Sequence, residues 1–339
     1  MAENQLIETL ITSLPLIHKG KVRDIYEVDD KHLLIVTTDR LSAFDVVMNE
    51  PIPFKGFVLT QMADFWFNKL SFVVSNHLSG IAPESVVSNN EVAQVKNRAI
   101  VARKLKALPI EAIVRGYLSG SGWKDYQNTQ TVCGIKLPPN LKESTKLDEP
   151  IFTPSSKEAV GKHDENISYE ECEMRVGKEI ASRIKEISIK LYEEAANFAL
   201  TKGIIIADTK FEFGLDDQNN LVLIDEILTP DSSRFWPLDQ YREGSSQPSF
   251  DKQFIRDWLQ NSGWNKTPPP PSLPEDVITK TSQKYLEAIS ILPEDLIPIF
   301  DNLLIFSVQL ANQVLNMISV LNRCITHKLQ FWRFVNRQS

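Results

Sequence analysis

The chain has 339 residues, of which 42% are hydrophobic and 24% are charged, a composition typical of a soluble enzyme with room for two domains. Its formal net charge of -7 argues against general nucleic-acid binding, which requires cationic neutralisation of phosphate. Cys133, Cys172 and Cys324 are scattered and odd in number, so they indicate neither a disulfide framework nor a zinc cluster. The amino terminus lacks a basic stretch before a long apolar core, and we therefore expect no secretory signal and a cytoplasmic protein.

The first third of the chain is predicted to be rich in short strands. Residues 29–31, Asp-Asp-Lys, separate the first two strand-like runs and predict a hairpin. We therefore expect a β-rich amino-terminal domain over residues 1–110. Its predicted elements are strands at residues 22–28, 33–38, 95–105 and 111–117 and a short helix at residues 61–70.

A glycine between two lysines precedes the first of these strands. The residues are Lys19, Gly20 and Lys21. A glycine allows backbone N–H groups to approach phosphate, and an ammonium group neutralises it. A solvated surface turn explains the same pattern, so a phosphate contact and a plain turn both stay open.

Residues 114–123, VRGYLSGSGW, combine Arg115 with three glycines and with the hydroxyls of Ser119 and Ser121. A guanidinium group can hold phosphate through two parallel hydrogen bonds. A flexible backbone with hydroxyls suits the same kind of ligand. The segment therefore predicts recognition of a phosphorylated molecule, with an ordinary interdomain loop as the alternative.

A long polar loop and a helix follow. Residues 150–166 are too long and too charged for a simple connection. Ser168 followed by Glu171 resembles a capping box, and apolar residues at helical spacing predict one long amphipathic helix that ends near Gly203. Further on, four prolines form a stiff linker at residues 268–271, before a last packed helix at residues 275–289.

Two predicted strands joined by a turn carry acidic groups between this helix and the linker. On the first strand, Asp208, Lys210 and Glu212 alternate with apolar residues, so one face is ionic and the other apolar. The second strand, residues 221–227, carries two adjacent acids near its end, Asp225 and Glu226. Carboxylates that meet across the hairpin beside a lysine can hold Mg²⁺ against a polyphosphate. A solvated acidic hairpin is the alternative.

Seven motifs in chain order resemble the SAICAR synthetase family, whose members are phosphoribosylaminoimidazole-succinocarboxamide synthases. The motifs are GKVRDIY at residues 20–26, TDRLSAFD at 38–45, RGYLSGS at 115–121, FTPSSK at 152–157, HDEN at 163–166, DTKFEFG at 208–214 and DEILTPDSSR at 225–234. Seven ordered motifs are far more specific than any one of them.

The resemblance implies a mixed α/β (α+β) fold of two domains with the active site in the cleft between them. The amino-terminal domain would be kinase-like and would bind ATP, and a larger α/β domain over residues 111–290 would bind substrates and metal. The implied reaction is ATP-dependent ligation in purine biosynthesis. It joins L-aspartate to 5-amino-1-(5-phospho-D-ribosyl)imidazole-4-carboxylate (CAIR) and yields SAICAR, ADP and phosphate. ATP, CAIR, L-aspartate and Mg²⁺ would be its partners, in a monomer or homodimer that binds neither nucleic acid nor membrane.

The resemblance also assigns residues to the site. Those implied in catalysis are Lys210, Asp208 and Arg234. Those implied in binding ATP are Lys19, Gly20 and Lys21 along the phosphates and Lys104 beside the adenine. Those implied in binding Mg²⁺ with the nucleotide are Glu212 and Asp225. Those implied in binding the other substrates are Asp39, Ser42, Asp45, Arg115, Ser119, Ser121, Lys157, His163, Asp164 and Arg234.

The chain continues beyond the region of the resemblance. Residues 291–339 carry apolar side chains at near-helical spacing, interrupted by polar ones, and end in a basic segment. We expect an atypical extension that is helical in part or poorly ordered, and not a membrane span. All the assigned residues precede it, so it should be dispensable for chemistry.

Two other classes of function compete with a SAICAR synthetase. A different ATP-dependent amide ligase or small-molecule kinase would use the same two-carboxylate site, but the spacing of Arg115 and Ser121 opposes this alternative. A non-catalytic scaffold with a decayed site is opposed by the intact Lys21, Glu212 and Asp225.

Overall fold

The computed structural model describes residues 5–157, 164–250 and 252–291. The predictions for His163 and for the extension after residue 291 lie outside these residues. The described strands are β1 (Leu16–Lys19), β2 (Arg23–Glu27), β3 (His32–Thr37), β4 (Ser42–Ala43), β5 (Val46–Val47), β6 (Ala99–Arg103), β7 (Lys106–Ala107), β8 (Ile110–Tyr117), β9 (Thr131–Val132), β10 (Ile135–Lys136), β11 (Lys146–Phe152), β12 (Ser155–Ser156), β13 (Ile204–Leu215), β14 (Leu221–Ile224) and β15 (Ser233–Pro237). The helices are α1 (Lys55–Lys69), α2 (Val92–Val95), α3 (Gly120–Thr129), α4 (Tyr169–Val176), α5 (Lys178–Thr201), α6 (Gln253–Asn261) and α7 (Glu275–Ile291).

The amino-terminal sheet consists of four antiparallel strands in the order β1-β2-β3-β6. Alternate side chains of β3, among them Leu34 and Val36, are fully buried in one core. Asp29 closes the turn between β2 and β3, because its carboxylate accepts the backbone N–H groups of Lys31 and His32. The predicted hairpin is confirmed, and its two strands are present with slightly different bounds. The strand predicted at residues 95–105 is limited to Ala99–Arg103, and the strand predicted at residues 111–117 belongs to the larger sheet, where it pairs with β13.

The larger sheet consists of seven strands built around β8 and β13. Its main path is β11-β8-β13-β14, while β12 pairs with β8, and β7 and β15 pair with β13. Every one of these pairs is antiparallel. In the register of β8 and β13, Arg115 lies opposite Asp208 and Ile113 lies opposite Lys210. This register brings charged residues from two distant parts of the chain onto one surface.

The helix predicted after Ser168 is in fact two helices. Ser168 caps α4, since its Oγ accepts the backbone N–H of Glu171 at 3.2 Å. Gly177, with φ of 88°, then separates α4 from α5. The prediction of one continuous helix was wrong, because a residue with positive φ leaves the right-handed helical backbone. Helix α7 is present where the last helix was predicted, and α1 begins at Lys55, earlier than expected.

A short segment joins the two sheets through its backbone. The N–H of His77 donates to the carbonyl of Leu223 on β14 at 3.0 Å, and the N–H of Leu223 donates to Ser75 at 2.9 Å. The carbonyl of His77 accepts the N–H of Arg103 on β6 at 2.8 Å. Both sheets lie in one compact unit of the chain, and the domain boundary at residues 110 and 111 stays a prediction.

Antiparallel sheets with helices on them confirm the predicted mixed α/β (α+β) class. Within the ranges that the structure describes, no helix combines the length and apolarity that a membrane span requires.

Candidate active site

Strand β13 separates ionic from apolar side chains, as predicted. Phe211 and Phe213 are almost fully buried in the core. Asp208, Lys210 and Glu212 occupy the alternate positions and make ion pairs with neighbouring strands. The alternation follows from strand geometry, which turns successive side chains to opposite faces.

Asp208 is the centre of a buried hydrogen-bond network. Its Oδ2 accepts from Nη1 of Arg115 at 3.2 Å and from the hydroxyl of Ser119 at 3.0 Å. Nη1 of Arg234 lies 2.8 and 2.6 Å from its two carboxylate oxygens. Arg115 is also bonded through Nη2 to Ser121 at 2.9 Å. The structure therefore brings together five of the residues that the sequence predicted for the site.

The glycines of the 114–123 segment make room for the two arginines. A Cβ atom at Gly120 would lie 2.2 Å from Nη2 of Arg234, and one at Gly122 would lie 3.0 Å from Cδ of Arg115. Gly120 also has φ of 57°, a conformation that favours glycine. The segment runs from the end of β8 into the start of α3, so Gly120 and Gly122 serve close packing against the two arginines where the sequence suggested a flexible loop.

Lys210 is surrounded by carboxylates. Its Nζ donates to Glu111 at 2.5 Å and to Glu212 at 3.1 Å, and Glu212 is also bonded to Lys157. Burial alone would lower the pKa of Lys210, but the charges of Glu212, Glu111 and Asp225 raise it above its ordinary value. Lys210 is therefore a fixed cation, suited to a phosphoryl group and unsuited to proton transfer near neutral pH.

Glu111 is a site residue that the sequence reasoning missed. It lies on β8 four residues before Arg115, and residues at even spacing share one face of a strand. Strand periodicity was therefore the signal that could have identified it. Burial raises the pKa of its carboxyl group above the ordinary value, even though Lys210 opposes the shift.

The two predicted metal ligands lie on β13 and directly after the neighbouring strand β14. Glu212 is opposite Ile224 in the pairing of β13 with β14, and Asp225 follows directly with φ of 64°. Strand β14 ends at Ile224, so the predicted strand to residue 227 was too long, because the left-handed Asp225 turns the chain away. In the described part of the chain, no group of three or more His, Cys, Asp or Glu residues could hold an ion by itself.

Arg23 of β2 ties the smaller sheet to the end of this hairpin. Nη1 lies 2.5 Å from Asp225, and Nη2 lies 2.8 Å from Glu226. Glu226 also accepts the hydroxyl of Thr229 at 2.7 Å. The sequence reasoning missed Arg23, although it belongs to the GKVRDIY motif, because no local pattern reveals a partner 202 positions away.

The predicted phosphate segment is exposed and held by its backbone. The carbonyls of Gly20 and Lys21 accept from the guanidinium of Arg40 at 2.9 and 3.3 Å. A Cβ atom at Gly20 would lie 2.9 Å from the carbonyl oxygen of Arg23, so the tight turn requires glycine. The side chain of Lys19 pairs with the exposed Glu8 at 2.5 Å.

The TDRLSAFD motif is divided between the interior and the surface. Asp39 is fully buried and accepts from Arg98 at 2.9 Å and from two backbone N–H groups. Ser42 belongs to the short pair β4 and β5, and Asp45 has φ of 64° and pairs with Lys21. Their predicted contacts with substrates stay predictions.

The remaining predicted residues that the structure describes are exposed. Lys104 is exposed and pairs with Glu27 at 2.8 Å. Asp164, the first described residue after residues 158–163, is also exposed. Their predicted roles, at the adenine and at a substrate, stay predictions.

Two adjoining cavities meet at Arg234. The first, of about 230 Å³, reaches from Arg115 past Asp208 to Lys210. The second, of about 580 Å³, has aromatic walls that include Trp123. The residues common to both are Ser121, Arg234 and Arg256. A concave site with an apolar side and converging cations is suited to an aromatic, anionic ligand.

The sequence of the chain is similar to a family model and to known enzymes. The model of the SAICAR synthetase family matches residues 16–271. The phosphoribosylaminoimidazole-succinocarboxamide synthase of Nitrosomonas europaea is 60% identical over 295 residues, which are 87% of this chain and 100% of that protein. The synthase of the same name from Methylobacillus flagellatus is 61% identical over 284 residues, which are 84% of this chain and 96% of that protein.

Solved structures agree with these sequence relatives. The SAICAR synthase of Saccharomyces cerevisiae, solved with SAICAR, has a TM-score of 0.78 at 46% identity, covering 85% of this chain and 97% of that one. A SAICAR synthetase in complex with ADP has a TM-score of 0.57 at 26% identity, covering 76% of this chain and 99% of that one. Because the family model spans most of the chain and the relatives are matched over nearly their whole length, the chain belongs to the SAICAR synthetase family.

Proposed function

We propose that the cavity beside Asp208 and the carboxylates around Lys210 form one active site, with substrate binding in the first part and phosphoryl transfer in the second. The chain is an ATP-dependent ligase that joins L-aspartate to CAIR and yields SAICAR, ADP and phosphate. The observation that best supports this location of the active site is the cavity, which is lined by Arg115, Arg234 and Lys210. The relatives solved with SAICAR and with ADP support both kinds of ligand.

The reaction requires activation of a carboxylate, which is a poor acyl donor. In the proposed order, an oxygen of the CAIR carboxylate attacks the γ-phosphorus of ATP, ADP leaves, and an acyl phosphate forms. The amine of L-aspartate then attacks the acyl carbon, loses a proton, and phosphate departs with the electrons of the broken C–O bond. Both steps depend mainly on positioning and on neutralising charge.

The arginines are assigned to the anionic substrates. Arg115 is held by Asp208, Ser121 and Thr153, so its orientation is set before a ligand arrives. A guanidinium with a fixed plane can form two parallel hydrogen bonds to phosphate or carboxylate. We place the imidazole nucleotide against Arg115 and Ser121, and an anionic group of a substrate against Arg234.

The carboxylates of Glu212 and Asp225 fit Mg²⁺. They are hard oxygen donors, one on β13 and the other directly after the paired strand β14, and Mg²⁺ in nucleotide sites commonly takes one or two carboxylates with phosphate oxygens and water. When bound, the ion neutralises charge on the transferred phosphoryl group. Lys157 and Lys210 hold the Glu212 carboxylate, and Arg23 holds that of Asp225.

We also propose contacts for ATP, the third substrate. Its phosphates would lie along Lys19, Gly20 and Lys21, and its adenine beside Lys104. We also propose a cytosolic monomer or homodimer without nucleic-acid or membrane partners. The free thiols of Cys133 and Cys172 support the cytosolic location, and the net charge of -7 supports the absence of a nucleic-acid partner.

The test is a coupled assay of ADP release with CAIR, L-aspartate and ATP, repeated with each one omitted. We expect sustained ADP release only when all three are present, because the acyl phosphate accumulates after one turnover if L-aspartate is omitted. Glu212→Ala should lower kcat at least about 100-fold, because the phosphoryl group loses its metal carboxylate. The matched control is Asp217→Ala, which removes an exposed acid from the turn of the same hairpin. Normal ADP release by Glu212→Ala at saturating Mg²⁺ would exclude the metal assignment.

A further inference from the structure

Asp231 joins the wall of the 230 Å³ cavity to the protein interior. Its Oδ2 lies 2.8 Å from Nζ of Lys55 and 2.8 Å from Nζ of Lys252. Its Oδ1 accepts the hydroxyl of Tyr285 at 2.5 Å. One carboxylate thus contacts three side chains from three separate parts of the chain.

The partners of Asp231 lie on different sides of it. Lys252 lines the cavity together with Asp231, whereas Lys55 and Tyr285 do not. Lys55 is the first residue of α1 and is 0% exposed, and Tyr285 of α7 is also fully buried. Nζ of Lys55 lies 5.7 Å from the centre of the Tyr285 ring. Lys55 therefore acts on the cavity through Asp231.

The charges of this group do not balance. With both lysines protonated, one carboxylate is shared between two ammonium groups, and the three residues together carry one positive charge. If Lys55 were neutral, Asp231 would fully compensate Lys252. The field that an anion meets in the cavity thus depends on a lysine that cannot touch it, since a charge in a poorly solvated region acts over several ångströms.

Stability alone does not explain a buried lysine at this position. Burial lowers the pKa of Lys55, although the carboxylate of Asp231 opposes the shift. Replacing a whole buried ion pair by apolar residues of similar volume is often neutral or stabilising, and removing one partner is strongly destabilising only where it leaves an uncompensated charge. A methionine at position 55 would leave Asp231 and Lys252 as a neutral pair, with no uncompensated charge.

We infer that Lys55 is a positioning residue for the anionic nucleotide substrate: by sharing the carboxylate of Asp231, it leaves Lys252 with positive charge that is not neutralised at the cavity wall. Tyr285 fixes the carboxylate in place by holding its other oxygen. The inference rests on the proposed function and adds residues of α1 and α7, which do not reach the cavity, to its substrate-binding machinery.

The experiment compares Lys55→Met with Tyr285→Phe in the full chain. The first changes charge and nearly preserves volume, and the second keeps charge and removes one hydrogen bond. Binding of CAIR without ATP is measured by calorimetry at low and high salt, and kcat and KM are measured by ADP release. Thermal unfolding of each variant shows whether it is folded.

We expect Lys55→Met to raise the Kd and KM for CAIR roughly 3- to 10-fold at low salt, with a much smaller change in kcat. Raising the salt should narrow the difference from the wild type, because ions screen the lost charge. Tyr285→Phe should change the affinity less and leave its salt dependence as in the wild type. A purely structural role for Lys55 would not alter the salt dependence.

A folded Lys55→Met protein with wild-type affinity for CAIR at low salt would overturn the inference alone. If Lys55→Met does not fold, Lys55→Gln makes the same charge change with a side chain that can still form a hydrogen bond to Asp231. Wild-type affinity of that variant for CAIR at low salt would overturn the inference in the same way. A wild-type chain that neither binds CAIR nor releases ADP would overturn the proposed function and this inference together.

Discussion

The charged residues around Asp208 are buried, whereas those of the Lys19–Lys21 segment are exposed. The side chains of Arg115 and Asp208 are 2% and 6% exposed, and those of Lys19 and Glu8 are 48% and 62% exposed. Breaking a buried pair leaves an uncompensated charge, while an exposed pair exchanges its partner for water at little cost. The buried network around Asp208, the proposed substrate wall, is therefore held in place before ligands bind, whereas the exposed Lys19–Lys21 segment, the proposed phosphate segment, can exchange its partners.

The largest effect should come from breaking the buried network at its centre. Asp208→Asn would leave Arg115 and Arg234 beside each other without their carboxylate. We expect a loss of about 3–5 kcal/mol in the free energy of unfolding, measured by urea denaturation. Glu8→Gln is the matched change in the exposed pair and should leave the midpoint unaltered. Equal midpoints for Asp208→Asn and the wild type would remove the contrast between the two regions.

The junction between the sheets predicts a pH effect. Burial lowers the pKa of His77 to about 4, well below the value of about 6.5 in an unfolded chain. The unfolded chain therefore binds the proton first, so this contribution to stability is complete above about pH 6.5 and is lost as the pH falls towards 4.

His77→Leu should remove this titration and flatten the pH dependence of the free energy of unfolding. We expect the wild type to lose about 2–3 kcal/mol more than the variant between pH 6.5 and 4. Denaturation series at several pH values measure the difference. Parallel profiles for the two proteins would show that His77 is not held neutral.

A smaller effect is expected when the geometry of the substrate wall changes but its charge does not. Arg115→Lys keeps a cation but cannot reach Asp208, Ser121 and Thr153 at once. The affinity for CAIR should weaken by about 2 kcal/mol, because an ammonium lacks the planar two-pronged geometry. Calorimetry with the folded variant measures the Kd for CAIR. An unchanged Kd would count against the assignment of Arg115 to the nucleotide substrate.

The smallest effect on stability should come from the exposed segment. Lys19→Ala should leave the unfolding midpoint where it is and raise the KM for ATP roughly 3- to 10-fold, because only the contact with phosphate is lost. Lys136→Ala, an exposed lysine on the short strand β10, is the control for general charge effects. A fall in stability with no change in KM would reverse the roles given to the two regions.

Local patterns predicted the parts of the site that depend on neighbouring residues. Strand alternation placed Lys210 and Glu212 on one face, and turn formers predicted the hairpin that carries Asp225. The cap at Ser168 followed from its own side chain. In each case the deciding interaction spans a few residues, so periodicity and turn chemistry contain the information.

The rest of the site depends on contacts that no local pattern contains. Arg23, Glu111 and Lys55 are ordinary residues in sequence, and only tertiary pairing makes them partners of Asp225, Lys210 and Asp231. Gly177 shows that a local feature can also be missed. Its positive φ separates α4 from α5, although the sequence pattern predicted one continuous helix. Asp39 lies in a motif of the family, but its buried hydrogen bonds could not be inferred from the motif.

The register that places Arg115 opposite Asp208 also sets the order in which the protein can fold. The two residues are 93 positions apart, and pairing of such distant strands is slow because a long loop must close first. During synthesis the amino-terminal sheet can form while β13 is still unmade, since domains fold as the chain emerges. Until Asp208 has been added, the edge of β8 that later pairs with β13 stays open, and an open strand edge is a site of aggregation. The unpaired Arg115 on that strand opposes such aggregation, because a charged side chain is costly to bury without its partner.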